Sequence, residues 1–212
     1  MILIGQFDSP FVRRVAIAMR LYGIPFEHRP WSVFGDPEKI AQYNPLMRVP
    51  TLVMDDGEVL IESSSILDAL DNLAGPAKAL VPVSGDGRRH VLKVCSLSTG
   101  LCDKAVSLVY ESHVHKRATA AWTERCLSQI AGVLSELEAS RASRPTEWWF
   151  GANLTHADIA AGVALRFLGD VHPGLFDVAE GWPLLAAHAA KCEALPVFQE
   201  ISQAFRVAPI KS

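Results

Sequence analysis

The strongest constraint on the fold is a change of hydrophobic pattern near residue 80. Before this point short apolar runs alternate with amphipathic stretches, which predicts strands and helices in turn, whereas the rest of the chain has helical periodicity. The segment from Gly75 to Gly87 is rich in proline and glycine, which is typical of a linker. Since 212 residues are enough for two cores, we predict a first domain over 1–77, a linker over 78–87 and a second domain over 88–212.

The predicted elements define an α/β domain followed by an all-α domain. In the first domain the order is β-α-β and then β-β-α, with a short helix or irregular stretch at 36–43 and a tight hairpin at Asp55-Asp56-Gly57. The predicted strands are 2–4, 26–31, 51–54 and 59–61, and the predicted helices are 10–22 and 63–73. In the second domain the predicted helices are 88–116, 118–143, 155–168, 182–192 and 196–205.

Charge and composition argue against several classes of function. The 20 basic residues are outnumbered by 23 acidic ones, and the net charge of -3 argues against nucleic acid as a partner. No run of about 18 apolar residues occurs, and the first residues do not resemble a leader peptide, so we expect no membrane span and a cytoplasmic location. The cysteines at 95, 102, 126 and 192 lack metal-site spacing and lie in predicted helices, so we expect buried free thiols and no metal.

Ser9 lies where the first predicted strand gives way to the first predicted helix. One interpretation is structural: a serine before Pro10 is typical of an N-cap followed by proline in the first turn, where its missing N–H costs nothing. The other interpretation is functional, because a helix N-terminus presents free N–H groups and a partial positive charge that favour an anion, such as a bound thiolate. The local pattern leaves both open.

A serine hydroxyl at this position has the strength needed to ionise a bound thiol. A free thiol has a pKa of about 8.5, and lowering it by about two units requires about 2.7 kcal/mol. A charge-assisted hydrogen bond from Ser9 contributes about 1.5–3 kcal/mol and the helix terminus up to about 1 kcal/mol. Because serine cannot form a mixed disulfide, the pattern favours activation of a ligand's sulfur over redox chemistry by the protein.

A second motif, at 44–52, leads into a predicted strand and contains Val49-Pro50. One interpretation is a trans proline that opens an edge strand, since cis bonds are rare. A cis bond would instead turn the N–H and C=O of Val49 outward, where they could pair with an extended peptide as a short antiparallel ladder. That arrangement would suit a tripeptide ligand.

A third motif, at 61–66, places Glu62 and Ser63 where a predicted strand ends and a helix begins. The structural interpretation is that the serines cap the helix, with Ser65 and Asp68 matching a capping box. In the functional interpretation, the hydroxyl and N–H of Ser63 receive a ligand carboxylate, while Glu62 pairs with an α-amino group.

Together and in this order, the motifs resemble the glutathione transferase superfamily, in particular its bacterial members with a serine at the end of the first strand. The likeness extends along essentially the whole chain. It is carried by SPFVRRV at 9–15, NPLMRVPTL at 44–52, ESSSI at 62–66 and NLTHADIA at 153–160. The resemblance implies a thioredoxin-like first domain, an all-helical second domain and glutathione as co-substrate, with no metal.

The resemblance also implies a role for each residue of the glutathione site. Ser9 would hydrogen-bond the glutathione sulfur as the catalytic residue, and Val49 would pair with the cysteinyl backbone. Glu62 and Ser63 would hold the γ-glutamyl group, and Arg48 would reach the glycine carboxylate. The full implied site is Ser9, Phe11, Arg48, Val49, Pro50 in its cis form, Glu62 and Ser63.

Two positions depart from the family pattern, and two others are implied to be structural. Met47 stands where the family usually has glycine, and Asp8 is an acidic neighbour of the serine. A carboxylate beside a thiolate removes part of the thiolate's stabilisation. Thr155 and Asp158 resemble the capping box of a core helix in the second domain.

The resemblance further implies an electrophile pocket between the domains and a homodimer. The pocket candidates are Phe11, Trp31, Phe34, Tyr110 and His113, with Trp122 a weaker one, and for each aromatic residue a place in the core is the alternative. His113 and His115 do not share a helix face, so a metal pair is not predicted. The dimer would bury faces of the helices at 63–73 and 88–116.

The predicted activity is attack by glutathione thiolate on a small hydrophobic electrophile, by addition or displacement, as in detoxification. Two alternatives stay open. One is a glutathione-dependent reductase or isomerase on the same scaffold, although reductases of this fold usually carry cysteine where this chain has Ser9. The other is a regulatory protein that binds glutathione without catalysis.

Overall fold

The computed structural model describes residues 1–115 and 119–206, without the side chains at 113–115. The described chain forms two compact units, 1–83 together with 195–206, and 84–194. The predicted domain bounds differ from these units in two places. A helix already begins at Gly85, inside the predicted linker, and the segment from 195 groups with the first unit rather than with the second.

The first unit contains the mixed four-stranded sheet of the thioredoxin-like fold, as predicted. Its strands are β1 (Ile2–Ile4), β2 (Glu27–Arg29), β3 (Thr51–Val53) and β4 (Val59–Ile61), in the spatial order β2-β1-β3-β4. β1 is parallel to β2 and antiparallel to β3, and β3 is antiparallel to β4. The helices that follow these strands in sequence are α1 (Pro10–Tyr22), α2 (Pro37–Ala41) and α3 (Ser63–Ala74).

A polar contact ties the end of α1 to α3. The hydroxyl of Tyr22 donates to Oδ1 of the buried Asp71 carboxylate. The N–H of Leu80 donates both to the hydroxyl oxygen of Tyr22 (3.0 Å) and to Oδ1 of Asp71 (3.1 Å). Burial, together with the hydrogen bond to Asp71, raises the pKa of Tyr22. The neutral phenol is therefore the form that fixes the chain after α3 against α1.

The second unit is all-helical. Its helices are α4 (Gly85–Val109), α5 (Ala120–Ala142), α6 (His156–Val171), α7 (Val178–Gly181) and α8 (Pro183–Glu193), and a π-helical segment, Tyr110–His115, continues α4. α6 is central, because every residue from 156 to 165 is buried and the helix contacts both α4 and α8. All four cysteines are buried free thiols, as predicted. In the ranges 1–115 and 119–206, no helix has both the length and the apolar character needed to cross a bilayer.

The last helix is shorter than predicted and packs with the first unit. The predicted helix over 196–205 ends early, as α9 (Pro196–Glu200). The side chain of Arg13, on α1, donates to the carbonyl groups of Phe198 (2.8 Å) and Ile201 (2.7 Å). A longer helix would use such carbonyls for its own N–H groups, so this long-range contact replaces the next turn. The four-residue α7 was not predicted, because so short a helix has no visible periodicity.

Gly5 permits a close approach between three segments of the first unit. It directly follows β1 and has a φ of +128°, which L side chains rarely adopt. A Cβ at this position would lie 2.5 Å from Cγ2 of Val12 and 2.8 Å from Cβ of Val49. The exit of β1 can therefore pack between α1 and the segment before β3 only because residue 5 has no side chain.

We expect Gly5→Ala to lower the free energy of unfolding by about 3 kcal/mol or more, since backbone strain and overpacking act together. Gly57→Ala is the matched control. Gly57 also has a positive φ, +91°, but nothing lies within 4 Å of its added Cβ, so we expect a loss of about 1 kcal/mol. Urea unfolding measures both losses, and equal values would contradict the role of the close approach.

Candidate active site

The strand register brings the three sequence motifs to one end of the sheet. Ile4, the last residue of β1, pairs with Thr51, the first residue of β3. Thr51 also pairs with Ile61, the last residue of β4. The segment that leaves β1, the segment that enters β3 and the segment that leaves β4 are therefore neighbours, and these are the three motifs.

Ser9 caps α1, as its structural interpretation predicts. Its backbone is extended (φ -72°, ψ 123°), and its Oγ accepts the N–H of Val12 at 3.5 Å. Pro10 occupies the first turn, and the carbonyl of Ser9 accepts the N–H of Arg13 at 2.9 Å. The first turn contains no acidic residue, so the partial positive charge of the helix N-terminus is not neutralised by its own side chains.

The cap does not compete with the functional interpretation of Ser9. A hydroxyl group has one donor and two acceptor lone pairs. Capping uses Ser9 Oγ as an acceptor, so the O–H hydrogen is not used by the cap. The same side chain can hold the helix and donate to an anion.

Asp8 is a partly buried carboxylic acid immediately before Ser9. Burial raises the pKa of Asp8, while hydrogen bonds from the backbone N–H groups of Arg206, Ser9 and Asp8 itself act in the opposite direction. Burial has the larger effect. The negative charge at Asp8 is therefore unfavourable in this position, and the three N–H groups offset part of its cost.

The Val49–Pro50 bond is cis. Pro50 is buried and Val49 is partly exposed. In the part of the chain that the structure describes, neither the N–H nor the C=O of Val49 forms a hydrogen bond. The backbone of Val49 thus has both groups available for a peptide-like partner, as the second motif requires in its functional interpretation.

Asn44 organises the turn before this bond, a role that the sequence pattern did not reveal. Its side chain is 1% exposed. Its Nδ2 donates to the carbonyl of Arg48 (3.0 Å) and to Oγ1 of Thr51 (3.2 Å), and its Oδ1 accepts the N–H of Leu46 (3.0 Å). An asparagine before proline is a turn signal in sequence, but these particular partners become visible only in the fold.

α3 begins at Ser63, and Glu62 is its N-cap without a side-chain capping bond. The predicted capping box of Ser65 and Asp68 is therefore wrong, because the helix starts two residues before Ser65. The N–H groups of the first turn have no partner within the helix. Ser63 is 5% exposed.

Arg48 and Glu62, from two different motifs, form an ion pair. Nη1 of Arg48 lies 3.2 Å from Oε1 of Glu62, and both side chains are about half exposed, at 57% and 49%. An exposed pair of this kind is worth about 1 kcal/mol or less. The structure thus brings these two predicted ligand-binding residues together at one edge of the first unit.

Two non-glycine residues in the motifs have left-handed backbones. Met47 has a φ of 51°, and Glu62 has a φ of 65° with a ψ of 120°. Such conformations cost about 1–3 kcal/mol each and tend to occur at functional sites. The positive φ of Met47 explains in physical terms why glycine would suit this position.

The electrophile-pocket candidates lie in both units, and the pocket itself stays a prediction. In the first unit, Phe11 and Phe34 are partly buried, and Trp31 packs against the ring of Tyr43 with the cation of Arg29 over its face. In the second unit, Tyr110 begins the π-helical segment and is partly buried, and Trp122 donates to Oγ of Ser107 at 3.0 Å. The side chain of His113 lies outside the described residues. Among the described side chains, no group of three or more His, Cys, Asp or Glu residues is placed to hold a metal ion.

The fold and these motifs define a family. The model of the glutathione S-transferase N-terminal domain matches residues 3–78, and the model of the glutathione S-transferase C-terminal domain matches residues 120–191. Together the two matches cover well over half of the chain. The protein belongs to the glutathione S-transferase superfamily.

Known relatives agree with this assignment. A glutathione S-transferase from Methylobacterium radiotolerans, solved in complex with glutathione sulfonate, superposes with a TM-score of 0.90 at 29% identity, over 100% of this chain and 98% of that one. Maleyl pyruvate isomerase, a bacterial glutathione S-transferase of the zeta class, superposes with a TM-score of 0.79 at 25% identity, over 95% and 96%. The uncharacterized GST-like protein YibF of Escherichia coli (strain K12) is 33% identical over 109 residues, or 51% of this chain. This chain spans 54% of the length of YibF and about a third of the plant glutathione S-transferases that it matches.

A second cluster of polar side chains lies in the second unit around Asp158. Its carboxylate accepts the N–H of Trp149 (2.7 Å) and both the N–H and the hydroxyl of Thr155 (2.8 Å each). The capping box of Thr155 and Asp158 at the start of α6 is thus present. Nε2 of His188 lies 3.4 Å from Oδ1 of Asp158 and 3.7 Å from Sγ of Cys192.

This cluster combines Cys, His and Asp, but its burial makes it structural. Asp158 and Cys192 are 0% exposed and His188 is 4% exposed. Burial lowers the pKa of His188 to about 4, with smaller contributions from the nearby charges, of which Asp158 acts in the opposite direction. His188 is therefore neutral at physiological pH. A substrate has no access to these atoms without local unfolding.

The burial of His188 predicts a pH dependence of stability. The unfolded chain takes up a proton on His188 near pH 6.5, whereas the folded protein does so only near pH 4. Protons therefore favour the unfolded state within this window, and stability should fall as the pH decreases through it, by about 2 kcal/mol between pH 7 and pH 5. Urea unfolding of the wild type and of His188→Gln measures this component, which the variant should lack.

His90→Gln is the control, because His90 is exposed. This variant should keep the wild-type dependence on pH. If His188→Gln and the wild type lost the same free energy of unfolding between pH 7 and pH 5, the neutral state of His188 would be contradicted.

Proposed function

We propose that this protein is a glutathione transferase that binds glutathione at the end of the sheet and uses its thiolate against small hydrophobic electrophiles. The observation that carries the proposal is the register of Ile4, Thr51 and Ile61. It aligns three segments that each offer a different group to one extended tripeptide. These groups are a hydroxyl donor, a backbone donor and acceptor, and a helix N-terminus beside a carboxylate.

Ser9 is the proposed catalytic residue. Its hydroxyl would donate to the glutathione sulfur while its oxygen continues to cap α1. The charge-assisted hydrogen bond and the helix terminus together supply about 2–4 kcal/mol, which is enough to lower the pKa of the thiol by one to two units or more. A thiol that is mostly ionised near pH 7 is the nucleophile that the reaction requires.

The other motif residues are proposed to hold the ends of glutathione. The N–H and C=O of Val49 pair with the cysteinyl backbone, and Pro50 keeps that segment turned outward. Ser63 donates to the γ-glutamyl carboxylate, Glu62 accepts from the ammonium group, and Arg48 reaches the glycine carboxylate. Phe11 lies beside the sulfur in the first turn of α1.

The chemical step follows from these positions. The thiolate donates an electron pair to an electrophilic carbon and a C–S bond forms. In a displacement, the leaving group departs with its electron pair, and in an addition the resulting carbanion takes a proton from solvent. The protein supplies ionisation and proximity, for which Phe11, Trp31, Phe34, Tyr110 and His113 are the proposed electrophile-binding residues.

Glutathione-dependent isomerisation is the second candidate, favoured by the likeness to maleyl pyruvate isomerase. In such a reaction the thiolate adds to the substrate and is later expelled, so glutathione is regenerated. Following free thiol during turnover separates the two activities, because conjugation consumes glutathione and isomerisation does not. A disulfide reductase is disfavoured, since Ser9 cannot form a mixed disulfide.

We expect Ser9→Ala to raise the pKa of bound glutathione by about one to two units, because the variant loses a charge-assisted hydrogen bond to the thiolate. At pH 6.5, kcat should fall about 10- to 100-fold. The loss of the cap should cost only about 1 kcal/mol of stability. Thiolate absorbance during a pH titration of the complex measures the pKa, and unchanged turnover with a stability loss alone would show that Ser9 is only a cap.

Asp8→Asn is the matched control, because it should change the pKa of bound glutathione in the opposite direction to Ser9→Ala. It removes a negative charge beside the proposed thiolate and keeps the size of the side chain. The pKa of bound glutathione should therefore decrease, opposite to the change in Ser9→Ala. A shift in the same direction in both variants would indicate general damage to the loop rather than electrostatics.

We also propose that the protein acts as a homodimer in the cytoplasm, where its four free thiols would stay reduced. Apolar side chains are exposed on both predicted interface helices, Leu73 on α3 (56%) and Leu92 on α4 (41%). We expect sedimentation velocity to show a dimer and Leu73→Glu to weaken it at least 10-fold. Leu21→Glu, at an exposed leucine on α1 (42%), is the control, and a monomeric wild type would contradict the proposal.

A further inference from the structure

The described residues that follow α9, 201–206, run back over the first unit, and we call them the C-terminal strap. The strap is anchored at its start. The buried guanidinium of Arg13 donates to the carbonyls of Phe198 (2.8 Å) and Ile201 (2.7 Å) and lies over the ring of Phe198 at 5.5 Å. Phe198 and Ile201 are almost fully buried, at 0% and 2%. Arg20 adds an ion pair to Glu200 at 2.9 Å.

The strap then reaches the loop that carries Ser9. Oε1 of Gln203 accepts the backbone N–H of Phe7 at 3.2 Å. The nearby backbone N–H of Arg206 lowers the pKa of Asp8 in part, which places the strap beside this carboxylate as well. Gln203 therefore holds the backbone of Phe7, two residues before Ser9, although the two residues are 196 positions apart in sequence.

Residues of β2 also hold the same loop. The rings of Phe7 and His28 are stacked, with centroids 3.9 Å apart and planes within 2°. Nε2 of His28 lies 2.8 Å from the carbonyl oxygen of Gly5, and the N–H of Gly5 donates to the carbonyl of Arg29 at 2.9 Å. These contacts fix the ring of Phe7 and the start of the loop. The backbone N–H of Phe7 is held separately, by Gln203.

We propose that Gln203 is a positioning residue for Ser9, and that the C-terminal strap sets the orientation of the hydroxyl that faces the glutathione thiol. The inference rests on the proposed function. Residues 6–9 contain one backbone hydrogen bond of their own, from the N–H of Ser9 to the carbonyl of Gln6 at 3.2 Å. A loop with so little internal support follows its external contacts, and misplacement by about 1 Å is enough to weaken catalysis strongly.

The test compares two Gln→Met substitutions on the full-length chain. Gln203→Met keeps the length of the side chain and removes the acceptor for Phe7. Gln199→Met is the matched control, because Gln199 lies on α9 and is exposed. Gln203→Glu retains an oxygen acceptor and should preserve the hydrogen bond to Phe7.

Amide hydrogen exchange, followed by NMR, reads the loop without any ligand. We expect exchange at the N–H of Phe7 and at the N–H of Val12, which Ser9 caps, to become at least 10-fold faster in Gln203→Met. Both rates should stay at the wild-type value in Gln199→Met and within about threefold of it in Gln203→Glu. Unchanged exchange at Val12 in Gln203→Met would overturn the proposal, because the strap would then not act on Ser9.

Glutathione binding gives the second measurement. In Gln203→Met the pKa of the bound thiol should rise by about half a unit or more, and kcat near pH 6.5 should fall three- to tenfold, with a change in KM below twofold. If exchange becomes faster while the thiol pKa and kcat stay at wild-type values, the strap is merely structural and the proposal is wrong. If the wild-type protein binds no glutathione, the proposed function fails, while exchange at Val12 still decides whether the strap positions Ser9.

Discussion

The close approach of Gly5 to Val12 and Val49 is the contact on which the rest of the candidate site depends. It brings the exit of β1 against the cis Val49–Pro50 segment, and the pairing of Ile4 with Thr51 continues the same contact into the sheet. The groups that would meet a ligand lie in the loops beyond this point. The sheet thus fixes the positions of the three segments relative to one another, which is how loops obtain the precision that a binding site requires.

A feature of the fold or of the candidate site could be predicted from the sequence when the residues that determine it lie close together along the chain. The N-cap at Ser9, the hairpin at Asp55-Asp56-Gly57 and the capping box of Thr155 and Asp158 are confirmed, because each is determined by residues within a few positions. The family assignment is confirmed by the two domain models. It could be predicted from the sequence because the motifs are local. The roles of the motif residues stay predictions.

The features that the sequence did not reveal depend on distant contacts or on backbone strain. α9 ends early because Arg13, 185 residues away, occupies the carbonyl of Phe198. The hydrogen bond between Gln203 and Phe7 has no local signal at either residue. The start of α3 at Ser63 is as predicted, but the capping box of Ser65 and Asp68 is absent, because the chain enters the helix through a left-handed backbone at Glu62.

The motif residues around Ser9 and the buried cluster around Asp158 differ in how many of their hydrogen-bonding groups already have partners. Asp158 accepts from Trp149 and twice from Thr155, and it lies against His188 with no exposed surface, so its oxygens are already satisfied. Ser9 is capped through one lone pair, and its donor is not used by that cap. The presence of Cys, His and Asp together therefore marks a structural cluster here, while a single serine at a helix terminus marks the better candidate for chemistry.

The ion pair of Arg48 and Glu62 bears on how a charged tripeptide would enter such a site. Glutathione carries a carboxylate at each end and one ammonium group, so it needs a cation and an anion from the protein at separate points. In the structure Arg48 and Glu62 pair with each other, which avoids two isolated charges beside the strained backbone of Glu62. Because both side chains are about half exposed, breaking their pair costs about 1 kcal/mol or less. In the proposed complex, Arg48 and Glu62 would exchange this weak pair for charge-assisted hydrogen bonds to the two ends of glutathione, so the same two side chains would serve both arrangements.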